Sequence, residues 1–387
     1  MPVAPLAATL AVQTLATMAL YSLPAVAPEV AKDLGVNGAL VGGFVATAYG
    51  VGILSALLSP GLIRRYGGVR ATQVVLLAAA GMLGLAASSS GVTGIGLSAV
   101  VLGLGYGAAA PASTHLLVPH TPKAVFNLVM SLRQIGVPLG GVLGALILPP
   151  VVLAFGWRAA LLAELVPVLL LTAAMEIPRR RWDADREPNR RIRMRAVLQP
   201  FLMLADVDLR RLSVSCFVYS GLQLCFVAFM TVHLTTKAGF DLVRAGQILA
   251  VYQIAGSVSR PVWGWIADRF LTPTRTLALL GGGMAVAAAL AGQFSAGWNG
   301  IAVVAAVLLA GCSAGGYTGV AYAEYARLGG TRRTEATGLG TALMFAGGML
   351  MPPLFGAAVT ALGGYGVSYT VMAGLALCSG LLLGWRG

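Results

Sequence analysis

A chain of 387 residues that is 58% hydrophobic and only 10% charged, with a mean hydropathy of +0.84, is too apolar for a water-soluble globule. It reads as an all-α polytopic membrane protein. The net charge of +13 does not argue for a nucleic-acid partner, because no soluble domain gathers the basic residues, and the four cysteines (Cys216, Cys225, Cys312, Cys378) show no metal-ligand spacing and imply neither a disulfide framework, a metal site nor a cofactor.

Uncharged runs of about 20 residues, the length that crosses a ~30 Å hydrocarbon core, fall at 6–28, 39–60, 71–89, 94–118, 124–149, 158–177, 212–234, 243–266, 275–293, 299–322, 336–361 and 367–385. The first resembles a secretion signal ending at Ala25-Val-Ala27, but it lacks a basic lead, is too long and runs into Pro28, so it is expected to be a span. Twelve spans place both termini on one side. Twenty basic residues fall on that side, four (Lys32, Arg158, Lys237, Arg244) on the other, and Arg133 and Arg260 inside spans, accounting for all 26. By the positive-inside rule both termini are expected in the cytoplasm, with the protein in the cell inner membrane.

Residues 178–211 are the longest polar stretch and divide six spans from six, giving an N-terminal bundle (1–177), a cytoplasmic linker (178–211) and a C-terminal bundle (212–387). Arg179-Arg-Arg181, Asp183, Asp185, Glu187 and Arg190-Arg191 make the linker read as solvated. The two halves echo each other at an offset of 203 to 204: Gly35-Val-Asn-Gly-Ala-Leu-Val-Gly42 lines up with Gly239-Phe-Asp-Leu-Val-Arg-Ala-Gly246, and Gly61-Leu-Ile-Arg-Arg65 with Gly264-Trp-Ile-Ala-Asp268. Parallel repeats of six helices predict two bundles rocking about a midplane site, related by pseudo-two-fold symmetry.

The charges left inside spans are the natural site candidates, since a charge at membrane depth costs ~2.5 to 3.5 kcal/mol even on lenient scales. Arg260 lies in the eighth span with Gln253 and Ser257 seven and three residues before it, on one helix face. It reads as a functional-site residue or as a packing and gating arginine. Arg133 lies nine residues beyond Ala124, roughly 14 Å deep at 1.5 Å per residue, and precedes the small-residue face Gly136, Gly140 and Gly144, so it points at a helix contact, either touching substrate or tying span 5 to a neighbour. Glu164 is the one carboxylate well inside a span and can carry a proton or reach toward Arg158. His115, near the cytoplasmic end of span 4, is a second proton-coupling candidate or a structural histidine.

The loop Gly264-Trp-Ile-Ala-Asp-Arg269, its degraded first copy Gly61-Leu-Ile-Arg-Arg-Tyr-Gly-Gly68, and Gly136-Val-Pro-Leu-Gly-Gly141 in span 5 resemble landmarks of the major facilitator superfamily over essentially the whole chain. In the first copy Arg65 stands where that family has its acid. The resemblance implies a cytoplasmic gating cluster of Asp268, Arg269, Glu324 and Arg327. It also implies that spans 4, 7 and 10 line the cavity, which offers Tyr106, Tyr219, Gln223 and Tyr317 to substrate, and that Arg133 comes near Arg260. Drug antiporters of the family carry Gly-Pro-x-x-Gly-Gly in span 5 and an arginine in span 4, where this chain has Val101. The run Arg260-Pro-Val-Trp-Gly-Trp-Ile-Ala-Asp-Arg269 is instead similar to span 8 of monocarboxylate porters, oxalate/formate-type exchangers and nitrate porters, and the span-5 signature of the nitrate porters is missing from Ser131-Leu-Arg-Gln-Ile-Gly136. The resemblance therefore implies a transporter, not an enzyme, that moves a small organic anion, a monocarboxylate before others, held by Arg260, with proton symport and acting as a monomer. An exporter of drugs or metabolites is the alternative.

Overall fold

The computed structural model describes residues 2–35, 40–189 and 198–384, all helix and connecting turns with no strand among them. Outside the described residues lie part of the first repeat copy (36–39), the linker arginines Arg190, Arg191, Arg193 and Arg195, and Arg386.

Nine helical stretches among the described residues are long and apolar enough to cross a bilayer. Two of them, Lys123–Trp182 with 60 residues and Gly300–Ala361 with 62, would run to roughly 90 Å if straight and hold two crossings each. Leu242–Arg269, with Arg260 in its interior, completes the twelve-helix fold. The apolar runs find each span but miss its ends. Span 2 extends to Tyr66 and span 7 covers Val207–Thr236, because helices run past the hydrocarbon until a cap stops them. In the second half those caps are side chains: Asp206 accepts from the N–H of Asp208 and Leu209, Asp241 from Arg244, Thr272 from Arg275 and Asn299 from Ile301.

Spans 5 and 6 share one 39-residue helical stretch, Gly136–Ala174, broken only at Gly156, whose φ of 81° is open to glycine and strained for other residues. The face formed by Gly136 and Gly140 lies on span 1. A Cβ on Gly136 would come within 2.9 Å of the Leu10 carbonyl, and one on Gly140 within 2.8 Å of the Met18 nitrogen, so only hydrogen at these positions lets the helices meet. Arg133, one turn earlier, is thereby aimed at span 1.

Packing sorts the chain into two compact units, one made of Met1–Thr121, Arg133–Leu202 and Gly329–Ala342, the other of Pro122–Leu132, Met203–Leu328 and Leu343–Gly387. The polar stretch 178–211 sorts whole spans, whereas packing places the start of span 5 with the second unit and the start of span 11 with the first.

The reading of the linker as solvated needs correction at its beginning. Asp183 is 3% exposed and accepts from the N–H groups of Val69 (2.8 Å) and Arg70 (3.3 Å), capping span 3. Burial pushes its carboxyl up from the usual carboxylate range, with the two backbone donors pulling the other way. Gly67, at φ 102°, has no Cβ to occupy the place the carboxylate takes. Asp185 pairs with His115 at 3.1 Å, and the Glu187 N–H donates to the Arg64 carbonyl at 2.7 Å. The first copy of the loop motif has lost its acid at position 65, and a downstream carboxylate caps the following helix.

Candidate functional site

Several spans are interrupted where the polar residues sit. Span 4 breaks between Val92–Tyr106 and Ala109–Leu117, span 5 between Phe126–Gln134 and Gly136, and span 10 between Gly300–Ala314 and Thr318–Gly329. Helix interruptions inside a membrane protein expose backbone groups that must find other partners, and they are tolerated where protein or an aqueous pathway supplies those partners.

In the first unit, Arg133 is 3% exposed and donates through Nη2 to Gln13 Oε1 at 2.6 Å and through Nη1 to Gln134 Oε1. Gln13 passes its amide to Thr17 Oγ1 at 2.9 Å, and Thr17 shares a proton with the Tyr106 hydroxyl at 3.2 Å. Arg133 and Tyr106, both at helix breaks, are thus joined through two residues of span 1 in a single polar chain. The Tyr49 ring stands 6.3 Å from that of Tyr106. Glu164 is 3% exposed and accepts from the Ser22 hydroxyl, while its second oxygen has no partner among the described residues. The suggested reach toward Arg158 is not made. Arg158 turns to Asp33 at 2.6 Å and to the Ser89 carbonyl at 3.0 Å, and its guanidinium together with the Trp157 N–H holds the exposed Asp33 carboxyl below the usual range. His115 is held by Asp185, far from Glu164 in the chain.

In the second unit, Arg260 is 4% exposed and donates through Nε to the Gly315 carbonyl at 2.8 Å. That carbonyl lies in the break of span 10, at the negative end of helix Gly300–Ala314, where a cation is favourably placed. The reach is short because span 8 crosses span 10 glycine on glycine: a Cβ on Gly256 would lie 2.9 Å from Gly315 Cα. The ring of Tyr317 meets that of Tyr219 edge-on at 5.6 Å, while the Tyr219 hydroxyl is drawn away to the Leu277 carbonyl at 3.1 Å. Gln223 takes the Tyr252 hydroxyl on its backbone carbonyl, which leaves its amide to the surroundings. Gln253, Ser257 and Arg260 share a helix face as expected, yet they differ in burial. Gln253 is exposed, and the Ser257 hydroxyl is satisfied by the Gln253 carbonyl at 2.8 Å.

The four charges implied as one gating cluster are dispersed. Glu324, 2% exposed, takes Arg327 on both oxygens at 2.6 Å and the Thr274 hydroxyl at 2.9 Å. Asp268 caps the start of span 5, accepting from Asn127 N (3.0 Å), Asn127 Nδ2 (2.8 Å) and Leu128 N (2.9 Å), and Arg269 is exposed. Arg64 pairs with Glu335 at the start of span 11 at 2.5 Å. Loops 2–3 and 8–9 therefore each hold the beginning of a helix, although only one of them kept its aspartate.

Sequence reasoning missed Thr17, Ser22, Gly315 and Asp183. The first three carried weak signals, since hydroxyl residues recur along span 1 at Thr14, Thr17 and Ser22 and Gly315-Gly316 is a glycine pair within span 10. Asp183 carried none, because a carboxylate among arginines reads as solvated.

These features define a polytopic helical membrane transporter, with buried arginines at helix breaks and a buried carboxylate elsewhere in the bundle. The chain belongs to the Major Facilitator Superfamily, whose family model matches residues 9–327, and it is accordingly a transporter rather than an enzyme. It is 28% identical over 281 residues to the 4-hydroxybenzoate transporter PcaK of Pseudomonas aeruginosa, a match covering 63% of this chain and 61% of that one. It is 24% identical over 285 residues to the PcaK of Acinetobacter baylyi, covering 65% and 62%. The match thus spans about six-tenths of those relatives' length. Among solved structures, the E. coli fucose:proton symporter FucP aligns with a TM-score of 0.78 at 15% identity over 100% of this chain and 99% of that one. The human organic anion transporter MFSD10 aligns at 0.75 and 16% identity over 98% of each chain. The proton:xylose symporter XylE aligns at 0.75 and 15% identity over 100% and 95%. At these identities the structures speak for the fold.

Proposed function

We propose that this transporter carries a small organic monocarboxylate, in particular an aromatic one, by alternating access coupled to protons across the inner membrane. The observation that carries this reading is Arg260, a buried guanidinium inside an apolar span, anchored by Nε to the Gly315 carbonyl. The kinship to transporters of 4-hydroxybenzoate supports it, since that substrate is a carboxylate on an aromatic ring. In this reading Arg260 meets the carboxylate, and Tyr317, Tyr219 and the Gln223 amide receive the ring and its substituents. Tyr106 and Arg133 are the substrate-binding candidates within the first unit, and Gln253 and Ser257 lie at the more exposed end of the Arg260 face. Glu164 carries the proton, with His115 as the second titratable candidate. The test is thermal unfolding of the purified protein: benzoate-type carboxylates should raise the transition, because a ligand of the folded state stabilises it by mass action, whereas nitrate and cationic amines should not. Equal stabilisation by cationic amines would favour drug export.

With twenty basic residues on one side, reporter fusions at Gly67, Arg186 and Gly329 should read cytoplasmic and fusions at Gly91, Lys237 and Trp298 external. A reversal at any one of them would break the assigned orientation.

Asp268 acts in gating rather than in binding. Its carboxylate meets the positive end of span 5, and Gly264 lets that helix close in, since a Cβ there would lie 2.7 Å from the Asn127 carbonyl. Asp268→Asn should remove roughly 1 to 2 kcal/mol from the state that makes this contact. The expected result is a roughly five- to thirtyfold faster alkylation of a cysteine placed in the cytoplasmic half of span 5, with substrate affinity unchanged. An unaltered labelling rate would take Asp268 out of the gate.

A further inference from the structure

The cytoplasmic end of the second unit holds a cavity of about 460 Å³ between the starts of spans 7 and 9 and the end of span 10. Its charges sort themselves. Glu324 is taken up by Arg327 and Thr274, and Asp208 is a second carboxylate in the lining, while Arg211 and Arg275, which also line the cavity, have no carboxylate within ion-pair distance among the described residues, leaving three arginines to two acids. Thr272 caps helix Pro273–Gly292, whose positive end opens into the same space. Directly below runs an apolar groove of about 610 Å³ along spans 9, 10 and 12, floored by Gly282, Gly283, Gly380 and Gly384. Spans 9 and 12 border both spaces. On span 9, Arg275 is followed at helical spacing by Leu279, Gly282 and Val286, with Leu279 54% and Val286 52% exposed. On span 12, Leu383 borders the cavity while Leu381 and Gly384 border the groove.

Two guanidinium groups without carboxylates at the membrane surface, set above a glycine-floored apolar channel on the lipid-facing side, match a molecule with an anionic head and a long hydrocarbon tail. We propose that this is a binding site for an anionic phospholipid, with the phosphate between Arg211 and Arg275 at the start of span 9 and one acyl chain lying over Gly282 and Gly380. The site is separate from the substrate site and does not rest on the substrate reading.

The full-length protein, purified in mild detergent, is to be titrated with phosphatidylglycerol and with phosphatidylcholine of equal chain length, and retained lipid read by native mass spectrometry. At about a fivefold gain per arginine near an anionic headgroup, phosphatidylglycerol should be held roughly thirtyfold better, and Arg211→Gln with Arg275→Gln should abolish that preference. A Cβ at Gly282 meets nothing within 4 Å, so Gly282→Leu projects into the groove and, in protein whose unfolding temperature matches the parent's, should weaken retention of both lipids. The proposal is overturned if the arginine variant keeps its preference, if Gly282→Leu retains lipid like the parent, or if inorganic phosphate raises the unfolding temperature as much as phosphatidylglycerol does. It is likewise overturned if the groove proves to be covered by a second copy of the chain, seen as a dimer that Gly282→Leu dissolves.

Discussion

Arg260→Lys should reduce uptake of an aromatic carboxylate roughly ten- to a hundredfold while the protein still reaches the membrane in normal amount. The argument is geometric. Arginine anchors itself through Nε to the Gly315 carbonyl, and in the proposed mode its planar fork meets the carboxylate edge-on. Lysine gathers its three N–H donors on one nitrogen, so it cannot keep an anchor at the Nε position and also present two parallel donors to a carboxylate. A charge-assisted hydrogen bond lost from a dry site is worth about 1.5 to 3 kcal/mol, which sets the expected range. Arg260→Ala should be worse in a second way, since it leaves the carbonyl in the span 10 break without its donor and should lower thermal stability as well. Uptake by Arg260→Lys with unchanged KM and rate would remove Arg260 from the substrate site.

Glu164→Gln should abolish accumulation of substrate against its gradient yet leave exchange of labelled for unlabelled substrate running. Glutamine keeps the shape of the side chain and an oxygen for the Ser22 hydroxyl, so packing between spans 1 and 6 survives. It cannot take up and release a proton, so substrate would move only down its own gradient. The variant should also lose the dependence of uptake rate on external pH. If it accumulates substrate with the parental pH profile, the proton is carried elsewhere, and His115, held by Asp185, becomes the group to test by His115→Gln.

The twelve spans were legible because the bilayer imposes a length on every apolar run, and a chain with so few charges has little room to hide a thirteenth. Arg260 and Arg133 stood out for the same reason, being charges where charge is costly. Their partners were not legible. Arg133 meets Gln13 across 120 positions of sequence, a pairing that depends on Gly136 and Gly140 letting span 5 settle against span 1 and that no periodicity within either helix encodes. Glu164 was legible as a buried acid, but its partner was misjudged: Arg158, six residues away and on the same helix, is drawn outward by Asp33, and the nearer group is a serine from span 1. Asp183 was misread because composition describes a segment's average, whereas its burial depends on the single missing Cβ of Gly67.

The turn at Gly156 has a mechanical side. Arg133 and Glu164 stand on the two arms of one hairpin whose chain reverses at a single residue, with helix running up to it on either side. Glycine is the most pliable residue a chain can place at such a turn, so the two arms can tilt about Gly156, and Arg133 stands beyond a second interruption at Ile135.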